Sequence, residues 1–234
     1  EEGHGYTDMR KGLAESVNTY FYIIAGGYQG QKGIGIANIE KYTRMFGIAS
    51  KTGIDVDGEK IGNIPSIEWK AKKFPSDPWR LGDTYHTAIG QYGFQVTPVQ
   101  MVRAVAGIGS KGTLVTPHIF KDIDPSLLSI QTLDIDQANY TVIHEGMRQV
   151  VTAGTGGALN ISNVEIAAKT GTAQVGISKK AINSWVIGFF PYENPKYAFT
   201  VLMENSPSSN KIGASQAMGE LFRWMALYTP EYFK

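Results

Sequence analysis

Residues 166–175 read IAAKTGTAQV, an apolar stretch with a lysine, two threonines and a glycine at its centre. Ile166, Ala167, Ala168 and Val175 have the character of a strand that is largely buried. A strand that only filled a core would gain nothing from Lys169, Thr170 and Thr172. One wall of a groove for an anion would. Side chains alternate along a strand, so Thr170 and Thr172 share one face and Lys169 takes the other. Two hydroxyls about 6–7 Å apart, with a cation close by, can bind a carboxylate. Gly171 leaves the strand edge clear for an extended peptide to lie alongside as an added strand.

Working outward, the period of two spans residues 164–175 and returns at 184–191 and 197–204, which predicts three strands, the last two joined by the turn YENPK. Met218, Leu221, Phe222 and Met225 then fall at i, i+3, i+4 and i+7, the spacing of one helix face. Upstream, TYFYIIA at 19–25 predicts a helix stopped by Gly26-Gly27, with Ser16 or Asn18 as its N-cap. A short helix over 36–46 stops at Gly47. Residues 51–83, rich in Gly, Pro and charge with Trp69 and Trp79 interspersed, predict a long irregular surface excursion. Thr97-Pro98-Val99-Gln100 is a capping box with proline at the first helical position. Residues 122–136 read as loop, and Asp136 opens a helix with Tyr140, Ile143, Met147 and Val150 along one face. Helices first, then an antiparallel meander, then a helix over its face give an α+β fold in one domain over residues 1–234.

The chain has 234 residues, 42% of them hydrophobic, enough for a substantial core. A net charge of +1 supplies no general field for nucleic acid or acidic lipid. Runs such as SWVIGFF and YAFTVLM fall far short of the roughly 18 residues a membrane span requires. The absence of cysteine excludes disulfides, thiolate metal sites and a cysteine nucleophile. The histidines, at 4, 86, 118 and 144, share no metal-ligand spacing, so neither metal nor cofactor is expected. Glu1 has the look of a cut end.

Some local strings mislead. Gly107–Gly112 (GIGSKG) satisfies G-x-G-x-x-G but follows a helix rather than a strand, which suits a helix stop better than a nucleotide loop. Asp55–Glu59 (DVDGE) lacks the further ligands of a calcium loop and reads as a turn. Lys51-Thr52-Gly53 repeats the K-T-G string in a turn-rich context. K-T-G alone is therefore weak evidence.

The second informative motif is Ser16-Val17-Asn18, S-x-N just before a helix and 153 residues (169 − 16) upstream of K-T-G. Each motif alone fits a structural role, as helix caps and as a solvated strand lysine. Together, S-x-N and K-T-G resemble the second and third motifs of the penicillin-binding proteins and serine β-lactamases. The context is more specific. GHGYTDMRKGLAESVNTYFY, FGIASKTGIDVDGEKIGNIPSIEWK, GMRQVVTAGTGGA, IAAKTGTAQV and GFFPYENPKYAFTVLMEN each look like the class B, elongation-type penicillin-binding protein 2 family. The similarity runs along nearly the whole chain, and it matches Lys51–Gly53 to that family's TGID turn rather than to its active site. One departure is large. The family's first motif, S-x-x-K, carries the nucleophile and lies before S-x-N, yet the only S-x-x-K here is Ser208-Ser209-Asn210-Lys211, in the wrong order and context.

The resemblance implies a transpeptidase fold seen without its N-terminal strands and central helix. It implies a serine D,D-transpeptidase acting on peptidoglycan stem peptides that end in D-Ala-D-Ala, with β-lactams as inhibitors. The nucleophilic serine would lie upstream of this chain, which alone would be inactive. On that reading Ser16 relays a proton to the leaving amine and Asn18 holds the upstream lysine and a substrate amide. Lys169 supports Ser16, while Thr170 and Thr172 hold the terminal carboxylate along the edge that Gly171 keeps open. The Thr172 backbone N–H forms half of an oxyanion hole. The resemblance also implies cell-wall elongation proteins as partners, a membrane anchor upstream, and work at the periplasmic face of the bacterial inner membrane. Two other classes stay open: a non-catalytic peptidoglycan- or β-lactam-binding scaffold, and a hydrolase using Ser16 itself.

Overall fold

A computed structural model describes residues 3–176 and 180–234. In chain order the elements are helices α1 (Met9–Ala14) and α2 (Asn18–Gly26), the ribbon β1 (Gly27–Tyr28) and β2 (Gln31–Lys32), and helices α3 (Ile36–Met45), α4 (Ile67–Lys73), α5 (Leu81–Ala88) and α6 (Pro98–Gly109). Next come the ribbon β3 (Thr113–Val115) and β4 (Ile130–Thr132), helix α7 (Gln137–Ala153), strands β5 (Ala167–Val175), β6 (Ala181–Phe190) and β7 (Tyr197–Pro207), and helix α8 (Ala214–Tyr228). The chain divides into two compact units, one of residues 3–16, 105–114 and 131–234, the other of residues 17–104 and 115–130.

The first unit is built on the antiparallel sheet β5-β6-β7. Alternation sends Ile166, Ala168 and Val186 to one face, where they pack with Phe222 of α8 and Leu159. Ala167 and Phe189 go to the other face, against Val105 of α6 and Met147 of α7. Gly188 sits where no side chain fits: a Cβ there would collide with the Ala167 carbonyl and come within 2.6 Å of the Phe199 ring. Gly188→Ala is therefore expected to cost about 1–3 kcal/mol, read as a lower chemical-denaturation midpoint with unchanged slope. Met218 and Phe222 of α8 are buried as their spacing requires, but Leu221 is 46% exposed and lies beyond the buried face.

Helix α1 is pinned to α7. A Cβ on Gly146 would meet the Leu13 side chain at 2.7 Å and the Arg10 Cα at 3.3 Å, so the two helices cross closely here. Arg10 and Glu145 add an ion pair at 2.5 Å beside this crossing. The Asp136 carboxylate caps α7 by accepting from Ala138 N–H at 2.8 Å.

The second unit contains the region expected to be irregular from 51 to 83. That expectation is corrected: α4 occupies Ile67–Lys73 and α5 starts at Leu81. Ser66 caps α4 by accepting from Trp69 N–H at 3.1 Å, and the Asp83 carboxylate accepts from Arg80 N–H at 2.7 Å at the start of α5. The buried Lys70 ammonium ties the two helices through Asp83 at 2.7 Å, Asp77 at 3.0 Å and the Pro78 carbonyl at 3.0 Å. The Thr97–Gln100 capping box forms as read, at 3.2 Å and 3.0 Å, and Gln100 also donates to the Ser50 and Ile61 carbonyls.

Candidate active site

Among the described residues β5 is an edge strand, pairing on one side with β6. The register sets Lys169 opposite Ile187, Thr170 opposite Val186 and Thr172 opposite Ser184, so Lys169 takes the face opposite to the two threonines. A Cβ added at Gly171 would meet nothing closer than the Trp185 Cβ at 3.6 Å, an ordinary contact. The protein itself would tolerate a side chain there, and the cleared space matters only to something outside the strand.

Ser16 follows α1 with φ of +55°, a left-handed conformation uncommon for a residue bearing a Cβ. The close packing of α1 on α7 holds this turn. Ser16 is exposed, and its Oγ accepts a hydrogen bond from Lys169 Nζ at 3.0 Å. Lys169 Nζ also donates to the Thr170 carbonyl at 2.8 Å. Residues 153 apart in sequence thus meet at one ammonium.

The electrostatics of this ammonium are unusual. Among the described residues no carboxylate pairs with Lys169. Burial alone pushes its pKa down, to about 8. An ammonium largely removed from water, and bonded only to neutral oxygens, is stabilised by any anion that enters beside it.

Thr170 and Thr172 differ more than alternation alone suggested. The Thr170 hydroxyl shares a hydrogen bond of 2.5 Å with the Thr155 hydroxyl, whereas the Thr172 side chain is exposed. Thr155 was not singled out in the sequence. The signal for it was the Gly-flanked TAGTGG run at 152–157, which has no period to read. Asn18 is the first residue of α2 and is exposed. Neither it nor Ser16 caps that helix: Val17 occupies the N-cap position and makes no side-chain cap bond, a correction to the capping expectation.

The second K-T-G does something else. Thr52 donates from both backbone and hydroxyl to Glu59 at 2.6 Å, and Gly53 N–H donates to the same carboxylate at 3.3 Å, while Lys51 is exposed. Desolvation raises the Glu59 carboxyl, but these bonds, with the nearby Lys51 charge, outweigh it and hold the group below its ordinary value. The string is an internal carboxylate clip that closes a turn. Asp55 likewise accepts from the amides of Ile119 and Phe120, at 2.8 and 2.9 Å. Among the described residues no cluster of His, Asp or Glu could hold a metal ion.

Residues 1–223 match the family model described as the penicillin binding protein transpeptidase domain. The chain belongs to that family. It is 34% identical to the peptidoglycan D,D-transpeptidase MrdA of Haemophilus influenzae over 92% of this chain and 36% of that one. It is 31% identical to MrdA of Escherichia coli over 94% of this chain and 37% of that one. The chain thus spans little more than a third of the length of these relatives. Among solved structures, penicillin-binding protein 2 of Helicobacter pylori in complex with MreC matches with a TM-score of 0.80 and 31% identity, over 97% of this chain and 41% of that one. Penicillin-binding protein 2 of Pseudomonas aeruginosa in complex with WCK 5153 matches with a TM-score of 0.79 and 31% identity, over 95% and 50% of the two chains. The mixed fold, an antiparallel sheet flanked by helices, is the transpeptidase fold of these proteins.

Proposed function

We propose that Ser16 and Lys169–Thr172 form the anion-binding and proton-handling part of a serine D,D-transpeptidase site. The observation that carries this reading is the Lys169 ammonium, bonded to Ser16 Oγ at 3.0 Å and without a carboxylate partner among the described residues. The substrate is a peptidoglycan stem peptide ending in D-Ala-D-Ala, lying along the open edge of β5. Its terminal carboxylate is held by the Thr172 and Thr170 hydroxyls and by the charge of Lys169. The attacking serine comes from an S-x-x-K segment outside these 234 residues. Its oxygen bonds to the penultimate carbonyl carbon, the peptide C–N bond breaks, and D-Ala leaves with a proton relayed through Ser16. The Thr172 N–H supplies one donor to the oxyanion. A neighbouring stem's amine then attacks the acyl-enzyme, forming the cross-link and releasing the serine. For Asn18, the S-x-N motif of the family implies the role of orienting the segment's lysine and a substrate amide. The relatives' names support this reading: two are peptidoglycan D,D-transpeptidases. The work is done at the periplasmic face of the bacterial inner membrane, with partners from the cell-wall elongation machinery. A homologue in complex with MreC supports that last assignment.

Intact-mass measurement after incubation with a penicillin tests the division of labour. The full-length protein is expected to gain one penicilloyl group per chain and the 234-residue chain none. A one-to-one adduct on the 234-residue chain would show that the nucleophile lies within it and would overturn the assignment.

A further inference from the structure

Thr155 lies in the tight turn that follows α7, and two bonds tie this turn to the two halves of the site. Its backbone N–H donates to the Ala14 carbonyl at 3.1 Å, two residues before Ser16. Its hydroxyl shares the 2.5 Å bond with Thr170 Oγ1, one residue after Lys169. The turn is packed too tightly to shift: a Cβ on Gly154 would collide with the Ala14 carbonyl, and one on Gly156 would come within 2.9 Å of Val150. Gly156 N–H closes the turn on the Val150 carbonyl at 2.8 Å. Thr155 is therefore anchored to rigid elements on its backbone side and to the substrate-facing strand on its hydroxyl side.

We propose that Thr155 is a positioning residue that fixes which way the Thr170 hydroxyl donates. Two hydroxyls sharing one hydrogen bond hold one proton between them and leave one proton to point elsewhere. An anion beside Thr170 decides the polarity. Thr155 donates to Thr170 Oγ1, and Thr170 turns its own proton to the anion, because the charge-assisted bond is the stronger of the two and polarises its neighbour. Without the Thr155 hydroxyl, Thr170 loses the donor that holds its oxygen, and its proton is free to rotate towards water. This inference rests on the carboxylate-binding reading of Lys169–Thr172.

The test compares acylation of the full-length protein by a penicillin and by the methyl ester of the same penicillin, for wild type, Thr155→Val and Thr155→Ser. Valine keeps the shape and removes the hydroxyl; serine keeps the hydroxyl. In wild type the acid is expected to react far faster than the ester, which reports the carboxylate site itself. Thr155→Val is expected to slow the acid about five- to tenfold and the ester less than twofold, while Thr155→Ser stays within twofold of wild type on both. Equal slowing of acid and ester by Thr155→Val would reduce Thr155 to a structural turn residue and overturn the proposal. So would unchanged acid kinetics, or a serine variant as slow as the valine one. A wild type that does not distinguish acid from ester would sink the carboxylate reading, and the proposal with it.

Discussion

Lys169→Met in the full-length protein is expected to lower the second-order rate of penicillin acylation by roughly 10²–10³-fold while leaving the fold intact. Methionine keeps the length and apolar stem of lysine and removes the charge. The loss is large because the ammonium that bonds to Ser16 Oγ at 3.0 Å is also, on the proposed reading, the charge that attracts the incoming carboxylate. Folding survives because this charge is a burden in the free protein. Burial lowers the Lys169 pKa from 10.5 to about 8, so the unfolded chain holds the proton more tightly than the folded one. The penalty is full below pH 8, shrinks as pH rises from 8 to 10.5, and is gone above that. At neutral pH the variant should therefore match or exceed wild type in thermal midpoint. The same titration gives the rate a falling limb as pH rises through about 8, where the free enzyme loses its cation, and Lys169→Met should lack that limb. Lys51→Met is the control: its side chain is exposed, and the hydrogen bonds to the Glu59 carboxylate come from Thr52 and Gly53. It should change neither rate nor pH profile. Stopped-flow acylation across pH 6–10 measures all of this, and an unchanged rate for Lys169→Met would remove the lysine from the mechanism.

Thr172→Val should slow acylation about ten- to a hundredfold, the effect of losing one hydrogen bond to a charged group, roughly 1.5–3 kcal/mol. The substitution suits the strand and keeps the backbone N–H, so the proposed oxyanion donor survives and the expected loss is confined to the proposed carboxylate contact. The Thr172 side chain is exposed, so little stability is at stake. The defect should appear with carboxylate-bearing substrates and shrink with their esters. A rate equal to wild type for the acid would exclude the hydroxyl from carboxylate binding.

The parts of this molecule that were legible in the sequence are those where a periodic signal coincides with burial. The three strands are regular because Ile166, Ala168 and Val186 alternate with Ala167 and Phe189 between two cores. The same alternation separates Lys169 from Thr170 and Thr172 on sequence alone. α7 was legible from its Asp136 cap and its apolar face. Helix α4 was not: it has seven residues, ends in Lys70, Lys72 and Lys73, and owes its place to Ser66 capping and to a buried lysine held by aspartates outside it. α5 escaped because its buried residues are the polar Thr84 and Thr87, which carry no hydrophobic period. Ser16 and Asn18 were read as candidate caps because their residue types suit that position. The turn ending α1 instead places Ser16 at positive φ and leaves Val17 at the cap. Thr155 was invisible for a related reason. A lone threonine among glycines acquires meaning only when packing brings its hydroxyl to Thr170.

The most direct measurement is a crystal structure of the full-length protein with a peptide ending in D-Ala-D-Ala. The terminal carboxylate is expected within hydrogen-bond distance, about 2.7–3.2 Å, of the Thr170 and Thr172 hydroxyls, with Lys169 still donating to Ser16 Oγ. A carboxylate bound away from β5, or a Lys169 ammonium turned into bulk water with Ser16 left unbonded, would contradict it.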